Sequence, residues 1–360
     1  MSQANLAQAE TFSLAVLNLH GSDQYQSFES GAGIPDDGTH PPINYHGFAA
    51  CAQGVFCQKI EQIPSHCRNV IVLLRGDMRY TIEAIRALKK SGKRIAISIQ
   101  ETGTNQVAEM FGRIGVIQHF REACQSADAA IATTHETLPL YEASGCSMCE
   151  FIPTPYPLET DAWNFSQPFE ARNGILIGTR QPRHLFRNHQ LALELIKPLA
   201  ACLGQTVTVI NERTGDSIRP NYFGVQWRHC ELRWHQAQNW PAGLQIVPRR
   251  MAYPQYLKLM AQHRIVFQLD SGAVPGQVAG DALLCRVPCV GGNGTTERLA
   301  FPALCGFGRD PGELVHIARQ LLEDNALAQS TMSEALTLAE ERLAFVTING
   351  QLHRFFDRLN

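Results

Sequence analysis

Short apolar runs alternate with segments of helical spacing along most of this chain, and no other feature restricts its fold as strongly. Val70–Leu74 and Arg94–Ile99 are runs typical of buried strands, and Tyr80–Ser91 between them has helical spacing. The series begins with Phe12–Leu19 and continues to Ile265–Leu269 and beyond. Alternation of this kind predicts an α/β fold with mostly parallel sheets covered by helices.

The chain is long enough for two hydrophobic cores, since 360 residues exceed the usual size of one. The stretch from Pro153 to Arg172 has four prolines and few apolar clusters, which is typical of a linker. The alternation restarts after it. We therefore predict an N-terminal domain over residues 1–155, a linker over 156–172, a C-terminal domain over 173–335 and a C-terminal helix over 336–360.

Two further helices are predicted from the apolar pattern. One is expected around Gly47–Ile63, and the other is expected to begin at a cap, Asn188, and to run to about Leu203. The region Arg213–Pro241, rich in Trp, His and Arg, has no clear pattern. Its basic and aromatic side chains suit either an ordinary surface loop or stacking on a base or sugar.

The nearly balanced charge excludes some classes of function. A net charge of −2 gives neither a nucleic-acid footprint nor a polybasic patch for anionic membranes. No apolar run approaches the roughly 20 residues of a membrane helix. The polar start, Met1–Glu10, does not resemble a signal peptide, so we expect a cytoplasmic protein without an integral membrane segment.

The eleven cysteines are expected to be reduced thiols. Cys146 and Cys149 form the only CxxC pair, and a second pair with the spacing of a zinc site is missing. Most of the cysteines are therefore expected to be small buried apolar residues, and no metal site is predicted from them.

One wall of a ligand cleft is predicted over Ile265–Glu297. An apolar run ends in Asp270, Pro275–Gly276 break the chain, a helical pattern carries Asp281, and a second apolar run leads into a Gly-rich turn that ends in Glu297. In an open parallel sheet, ligands bind outside the carboxyl ends of the strands. The small polar loops here suit a ligand with phosphates and hydroxyls.

Three places in the second half resemble the donor-binding domain of the glycosyltransferase group 1 family. They are Ile177-Gly178-Thr179-Arg180 followed by Arg187-Asn188-His189, Asp281-Ala282-Leu283 followed by Arg286–Val290, and Asn293–Glu297. The resemblance is spread over about Asp128–Phe356. It implies the GT-B fold, in which two Rossmann-like domains face each other across a cleft.

The resemblance also implies roles for particular residues. Arg180 and Arg187 would hold the donor diphosphate, with Arg183 as an alternative to either. Asp281 would accept hydrogen bonds from the ribose hydroxyls. The backbone near Gly178, Gly276, Gly294 and Thr295 would approach the donor, and Glu297 would either contact it or cap a helix. A solvated basic loop and a helix-surface carboxylate are the structural alternatives for the arginines and Asp281.

The sequence departs from the family at two positions. Ala273 stands where the family has its first motif glutamate, which contacts the transferred sugar. Gln100-Glu101 follow a strand after which the family often has a histidine. Glu101 is accordingly the first catalytic candidate, although such a residue also caps helices. His135, which follows the apolar run Ala129–Ala132, is the second.

The expected function is transfer of a sugar from a nucleotide diphosphate sugar to an acceptor, with retention of configuration and without a bound metal or other cofactor. The acceptor is a glycan, a lipid-linked sugar, a protein or a small molecule. Two alternatives stay open. One is a non-catalytic relative that serves as a binding or scaffold protein, and the other is a sugar-nucleotide epimerase of the same fold.

Overall fold

Two separate parallel sheets, built from successive parts of the chain, form the framework of the protein. The structure is a computed structural model that describes residues 12–19, 21–35, 38–178, 185–210, 243–247 and 251–359. Within these ranges the sheets are covered by helices, which confirms the predicted α/β class. No described helix combines the length and the apolar character needed to cross a membrane.

The first sheet has seven strands among the described residues, in the order β2-β3-β1-β4-β5-β6-β7. Only β2 runs antiparallel to its neighbour. The strands are β1 (Leu14–Leu17), β2 (Gln26–Ser27), β3 (Val55–Cys57), β4 (Asn69–Leu74), β5 (Arg94–Ile99), β6 (Ala129–Ala132) and β7 (Cys149–Phe151). The helices between them are α1 (Asn44–Cys51), α2 (Arg79–Lys90), α3 (Thr104–Phe111), α4 (Val116–Ser126) and α5 (Leu138–Ala143).

The second sheet has five described strands, all parallel, in the order β10-β9-β8-β11-β12. They are β8 (Ile175–Ile177), β9 (Val207–Ile210), β10 (Leu244–Val247), β11 (Ile265–Gln268) and β12 (Cys289–Gly291). The helices that follow β8 are α6 (His189–Leu203), α7 (Tyr253–Met260), α8 (Gln277–Cys285), α9 (Thr295–Ala300), α10 (Pro311–Glu323), α11 (Asn325–Leu343) and α12 (Phe345–Asp357).

Side chains of the first sheet alternate between two cores, as expected for strands covered on both faces. In β4, Val70, Val72 and Leu74 join one core, and Ile71 and Leu73 join the other. The sequence run is therefore continuously apolar because each face of the strand is buried.

The end of the chain crosses between the two sheets. Helix α11 packs in the core around the second sheet through residues such as Met332 and Leu343. After Ala344, helix α12 packs on the first sheet, where Leu352 and Phe355 are fully buried. The single helix predicted over 336–360 is thus the end of α11 followed by α12.

Two local predictions were wrong. The helix expected over Gly47–Ile63 ends at Cys51, and Val55–Cys57 instead form β3 beside β1. Gly54 explains the switch, because a Cβ there would lie 1.9 Å from the Leu14 carbonyl oxygen. Asn188 precedes α6 but does not cap it, since its amide nitrogen donates to the Leu269 carbonyl at 2.8 Å. The region 213–241 lies outside the described residues.

Candidate active site between the two sheets

Two connected cavities lie between the carboxyl end of the first sheet and the loops that follow β11. The inner cavity has a volume of about 260 Å³ and the outer one about 940 Å³. Asp23, His40, Asn44 and Gln277 line both. The described lining of the inner cavity also includes Asn18, Tyr45, His46, Phe56, Leu73, Gln100, Glu101, Thr102, Gln106, Thr154, Arg187, Val274, Pro275 and Gly276.

Unpartnered polar groups are concentrated at the inner cavity. Both amide atoms of Asn18, Nε2 of His46 and Oε1 of Gln100 are buried without a hydrogen-bond partner among the described residues. The same holds for Oγ1 of Thr154 and Nε of Arg187. A buried polar group without a partner is costly and is uncommon in folded proteins. Five such side chains around one cavity therefore indicate a site for a ligand with many hydroxyls, or for the water that it displaces.

The two predicted catalytic residues occupy different places. Glu101 follows β5, is exposed and lines the inner cavity. His135 is exposed and stacks on Phe151, with the ring centroids 3.7 Å apart. His135 does not belong to the described lining of either cavity. The structure thus brings Glu101, and not His135, to the site.

Arg187 lies at the inner cavity, but its guanidinium is already engaged. Nη1 forms an ion pair with Oδ2 of Asp270, whose other carboxylate oxygen accepts from the Gly272 amide at 2.9 Å. Both side chains are largely buried, at 17% and 3% exposure. An anionic ligand at Arg187 would therefore have to share it with Asp270. Arg180 and Arg183 lie outside the described residues.

The two glycine turns predicted to approach the donor enclose Glu297. A Cβ at Gly276 would lie 2.1 Å, and one at Gly294 2.3 Å, from Oε2 of Glu297. The carboxyl is buried, and its Oε1 accepts from Nε2 of Gln268 at 2.9 Å. Burial, with a smaller contribution from the nearby Asp270 carboxylate, raises the pKa of Glu297 to about 7. Glu297 therefore packs beneath these turns and does not lie at the cavity wall.

Two other predicted donor contacts are partly covered by neighbours. Gly178 follows β8 with a φ of 48°, and a Cβ there would lie 3.4 Å from the His189 ring. Thr295 begins α9, and its hydroxyl donates to the carbonyl of Thr133, the residue directly after β6, at 3.2 Å. Thr295 thus joins the two sides of the cleft.

Asp281 faces the protein interior and not a described cavity. Its side chain is 1% exposed, and its Oδ1 accepts a hydrogen bond from the Tyr253 hydroxyl. Tyr253 in turn lines the outer cavity. Among the described residues, Asp281 therefore contacts a residue of the cavity wall and does not line a cavity itself, and its direct contact with a ligand stays a prediction. The alternative of a helix-surface carboxylate is wrong.

Sequence reasoning missed most of the side chains that line the inner cavity. Asn18 comes directly after β1, so the rule that ligands bind at the carboxyl ends of parallel strands could have identified it. His46 and Asn44 are on α1, and Thr154 lies in the segment predicted to leave the first domain. Only the folded structure brings these three to one place.

Comparisons with known proteins identify the fold of this chain but find no protein related to it by sequence. No protein-family model matches the chain, and no curated protein matches its sequence. Solved structures do match over nearly the whole length. The Escherichia coli trehalose-6-phosphate structure bound with UDP-2-fluoro glucose has a TM-score of 0.63 at 11% identity, covering 96% of this chain and 99% of that one.

Two further solved structures are similar to this chain over nearly its whole length. Sucrose-phosphate synthase from Thermosynechococcus elongatus has a TM-score of 0.59 at 13% identity, with 97% and 99% of the two chains covered. An alpha-glucosyltransferase in complex with UDP-glucose and DNA has a TM-score of 0.60 at 10% identity, with 96% and 99% covered. These neighbours are GT-B glycosyltransferases. At such low identity the likeness concerns the fold, and this chain accordingly has the GT-B fold.

Proposed function

We propose that the protein is a glycosyltransferase that uses a nucleoside diphosphate sugar as donor. The observation that carries the proposal is the inner cavity, where five side chains with unpartnered buried polar atoms meet between the two sheets. Hydroxyl-rich ligands satisfy such groups well, because each hydroxyl both donates and accepts. The GT-B neighbours bind UDP-sugars according to their names, which supports the same class of donor here.

The arrangement suggests how the described residues would take part. The bond between the anomeric carbon and the diphosphate oxygen breaks, and the acceptor hydroxyl oxygen bonds to that carbon. Arg187 would stabilise the charge that develops on the leaving diphosphate. The acceptor proton can pass to the diphosphate or to Glu101, which lines the same cavity. Retention of configuration stays a prediction from the family resemblance, as does the acceptor.

A non-catalytic binding protein is the second candidate, and one observation favours it. The cation at the inner cavity is neutralised by Asp270, and Ala273, at the position of the family's sugar-contacting glutamate, is buried and apolar. A protein that only binds a neutral glycan in the cavity needs neither a free cation nor that carboxylate.

Ligand-induced thermal stabilisation separates these candidates. Under the transferase proposal, millimolar UDP and UDP-glucose raise the melting temperature, because a ligand that binds only the folded state stabilises it. Arg187→Ala should reduce that shift, while Arg319→Ala, on the surface of α10, should leave it unchanged. Asp270→Asn should strengthen UDP binding by about tenfold, since it leaves Arg187 for the diphosphate.

The opposite results count against the proposal. If no nucleoside diphosphate or its sugar stabilises the protein at millimolar concentration, the donor class is wrong. Binding of UDP-glucose without transfer or hydrolysis, across a panel of sugar acceptors, would favour the binding protein.

A further inference from the structure

A carboxylate and two imidazoles meet where the two cavities join. Asp23 and His40 belong to the long segment between β1 and α1, and His46 is on α1. A possible ligand atom of each lies within 4.8 Å of the other two. Asp23 and His40 line both cavities and His46 lines the inner one, so an ion held by the three would be open to a ligand in the cleft.

His46 is the buried member of the group. It is 3% exposed, its ring is stacked between those of His40 and Phe56, and its Nε2 has no hydrogen-bond partner. Burial, with a smaller contribution from the nearby His40, lowers the pKa of His46 to about 2.

His40 and Asp23 have the complementary features. Nδ1 of His40 lies 2.8 Å from the Pro41 carbonyl oxygen. Because a carbonyl only accepts, Nδ1 carries the proton and Nε2 has the free lone pair. The Asp23 carboxylate forms no hydrogen bond or ion pair with any described residue.

We propose that Asp23, His40 and His46 bind one divalent transition-metal ion, of the zinc class, at the junction of the two cavities. Two imidazoles and one carboxylate are a common ligand set for zinc sites that keep a position open for water or substrate. Asp23 and His40 line both cavities and His46 lines the inner one, so an ion held by them would be within reach of a ligand hydroxyl in the cleft. This departs from the expectation, taken from the family resemblance, that no metal is bound.

Binding requires one ring to turn. The His40 and His46 rings lie 3.7 Å apart and only 17° from parallel, so their in-plane lone pairs do not converge on one point. His40 is only half-buried and can rotate, whereas His46 is enclosed between two rings. The rotation gives up one ring stack and one hydrogen bond, each of which contributes little compared with metal coordination.

The proposed ion would have a structural effect beyond the cavity. In its described residues, the segment between β1 and α1 contains only the two-residue strand β2, and loops of that length are usually functional or need additional restraint. The ion would fix Asp23 and His40 of this segment to His46 of α1. Metal binding is therefore expected to protect the segment from proteolysis, independently of any transferase activity.

Titration of the full-length protein with Co²⁺ tests the proposal directly. We expect one equivalent to bind with visible d–d absorption and no sulfur-to-cobalt charge-transfer band, because no cysteine belongs to the site. Zn²⁺ should displace it and raise the melting temperature. His40→Gln and Asp23→Asn should each weaken Co²⁺ binding by at least about tenfold, while His66→Gln, on an exposed histidine, should not.

Other results would overturn the proposal. Absence of stoichiometric Co²⁺ binding would do so, as would binding that survives both His40→Gln and Asp23→Asn. A charge-transfer band lost in Cys149→Ser would place the ion at thiols instead. His46→Gln is a further variant, but His40 and Asp23 are less buried, so their substitutions decide the question even if that variant does not fold.

Discussion

Glu297 is a single residue whose chemistry is set by its surroundings and not by its type. Its carboxyl lies beneath two glycine turns, one oxygen accepts from Gln268, and the other has no partner. Burial, assisted by the Asp270 carboxylate, raises its pKa from 4.5 to about 7. Near neutral pH the folded protein therefore holds a proton that the unfolded chain has released.

The sign of the resulting pH dependence follows from linkage. The contribution of Glu297 is fully present below pH 4.5 and is lost as the pH rises to about 7. At about 1.4 kcal/mol per pKa unit, the loss is of the order of 3 kcal/mol. We expect Glu297→Gln to match the wild-type melting temperature near pH 4.5 and to exceed it at pH 8, measured by differential scanning fluorimetry.

The control for this measurement is Glu341→Gln on the exposed face of α11, which should follow the wild-type pH profile throughout. Parallel profiles for Glu297→Gln and the wild type would show that Glu297 is ionised in the folded protein.

For single residues, the sequence predicted the position along the fold better than the direction in which the side chain points. Glu101 was placed after β5 and lies at the cavity. Asp281 was placed on the helix after β11, which is also its position, but its carboxylate is held by Tyr253 from another helix. Which neighbour a side chain meets depends on elements distant in sequence, and one sequence does not contain that information.

Helix α8 shows how one small residue lets two elements meet. Tyr156, fully buried in the segment that leaves the first sheet, packs against Gly280 in the middle of the helix. A Cβ on Gly280 would lie 1.8 Å from the tyrosine ring. The helix and the connecting segment can therefore approach this closely only because Gly280 has no side chain.

We expect Gly280→Ala to destabilise the protein, although alanine is the better helix former. The clash is with a rigid ring enclosed on all sides, so the cost should be about 1–3 kcal/mol, as for overpacked cores. The measurement is urea unfolding followed by fluorescence. Gly350→Ala in α12 is the matched control, since its Cβ would meet only Arg354 at 3.5 Å, and it should be neutral or stabilising.

Whole elements were predictable where the apolar pattern was long and uninterrupted. Strand β5 has the predicted bounds, and α2 differs from its prediction by one residue at each end. Strand β3 was missed because three residues, Val55–Cys57, follow a helix too closely for periodicity to separate them. The contact of Gly54 with Leu14, distant in sequence, decides that boundary.

On the scale of the whole molecule, the crossing of α12 to the first sheet joins the two parts of the chain. Leu352, Phe355 and Phe356 complete a core that also contains β1 and β4 residues. Arg94 of β5 donates to the Phe356 carbonyl at 3.4 Å. The amphipathic pattern of α12 predicts a buried face, but only the fold shows which sheet it covers.

Phe355→Ala should therefore destabilise the first sheet and not the second. Removal of a fully buried phenylalanine costs about 3–5 kcal/mol. Hydrogen exchange read by mass spectrometry should show faster exchange in β1 and β4, with β11 unchanged. Val346→Ala on the same helix replaces a side chain that is 71% exposed, and it should leave the hydrogen exchange of all three strands unchanged. Equal loss of protection in β11 would mean that the two sheets unfold as one unit.

The position of α12 also has a consequence for synthesis. A ribosome makes the chain from its N-terminus, and the first domain of a protein usually folds while the rest is still being made. Here one face of the first sheet is covered by α1 and α12 together, and α12, residues 345–357, is translated about 270 residues after β4. During that interval the core that contains Ile71 and Leu73 has only α1 as its cover and lacks the side chains of α12. Nascent chains of this protein should thus need chaperone protection of this core until α12 has been translated.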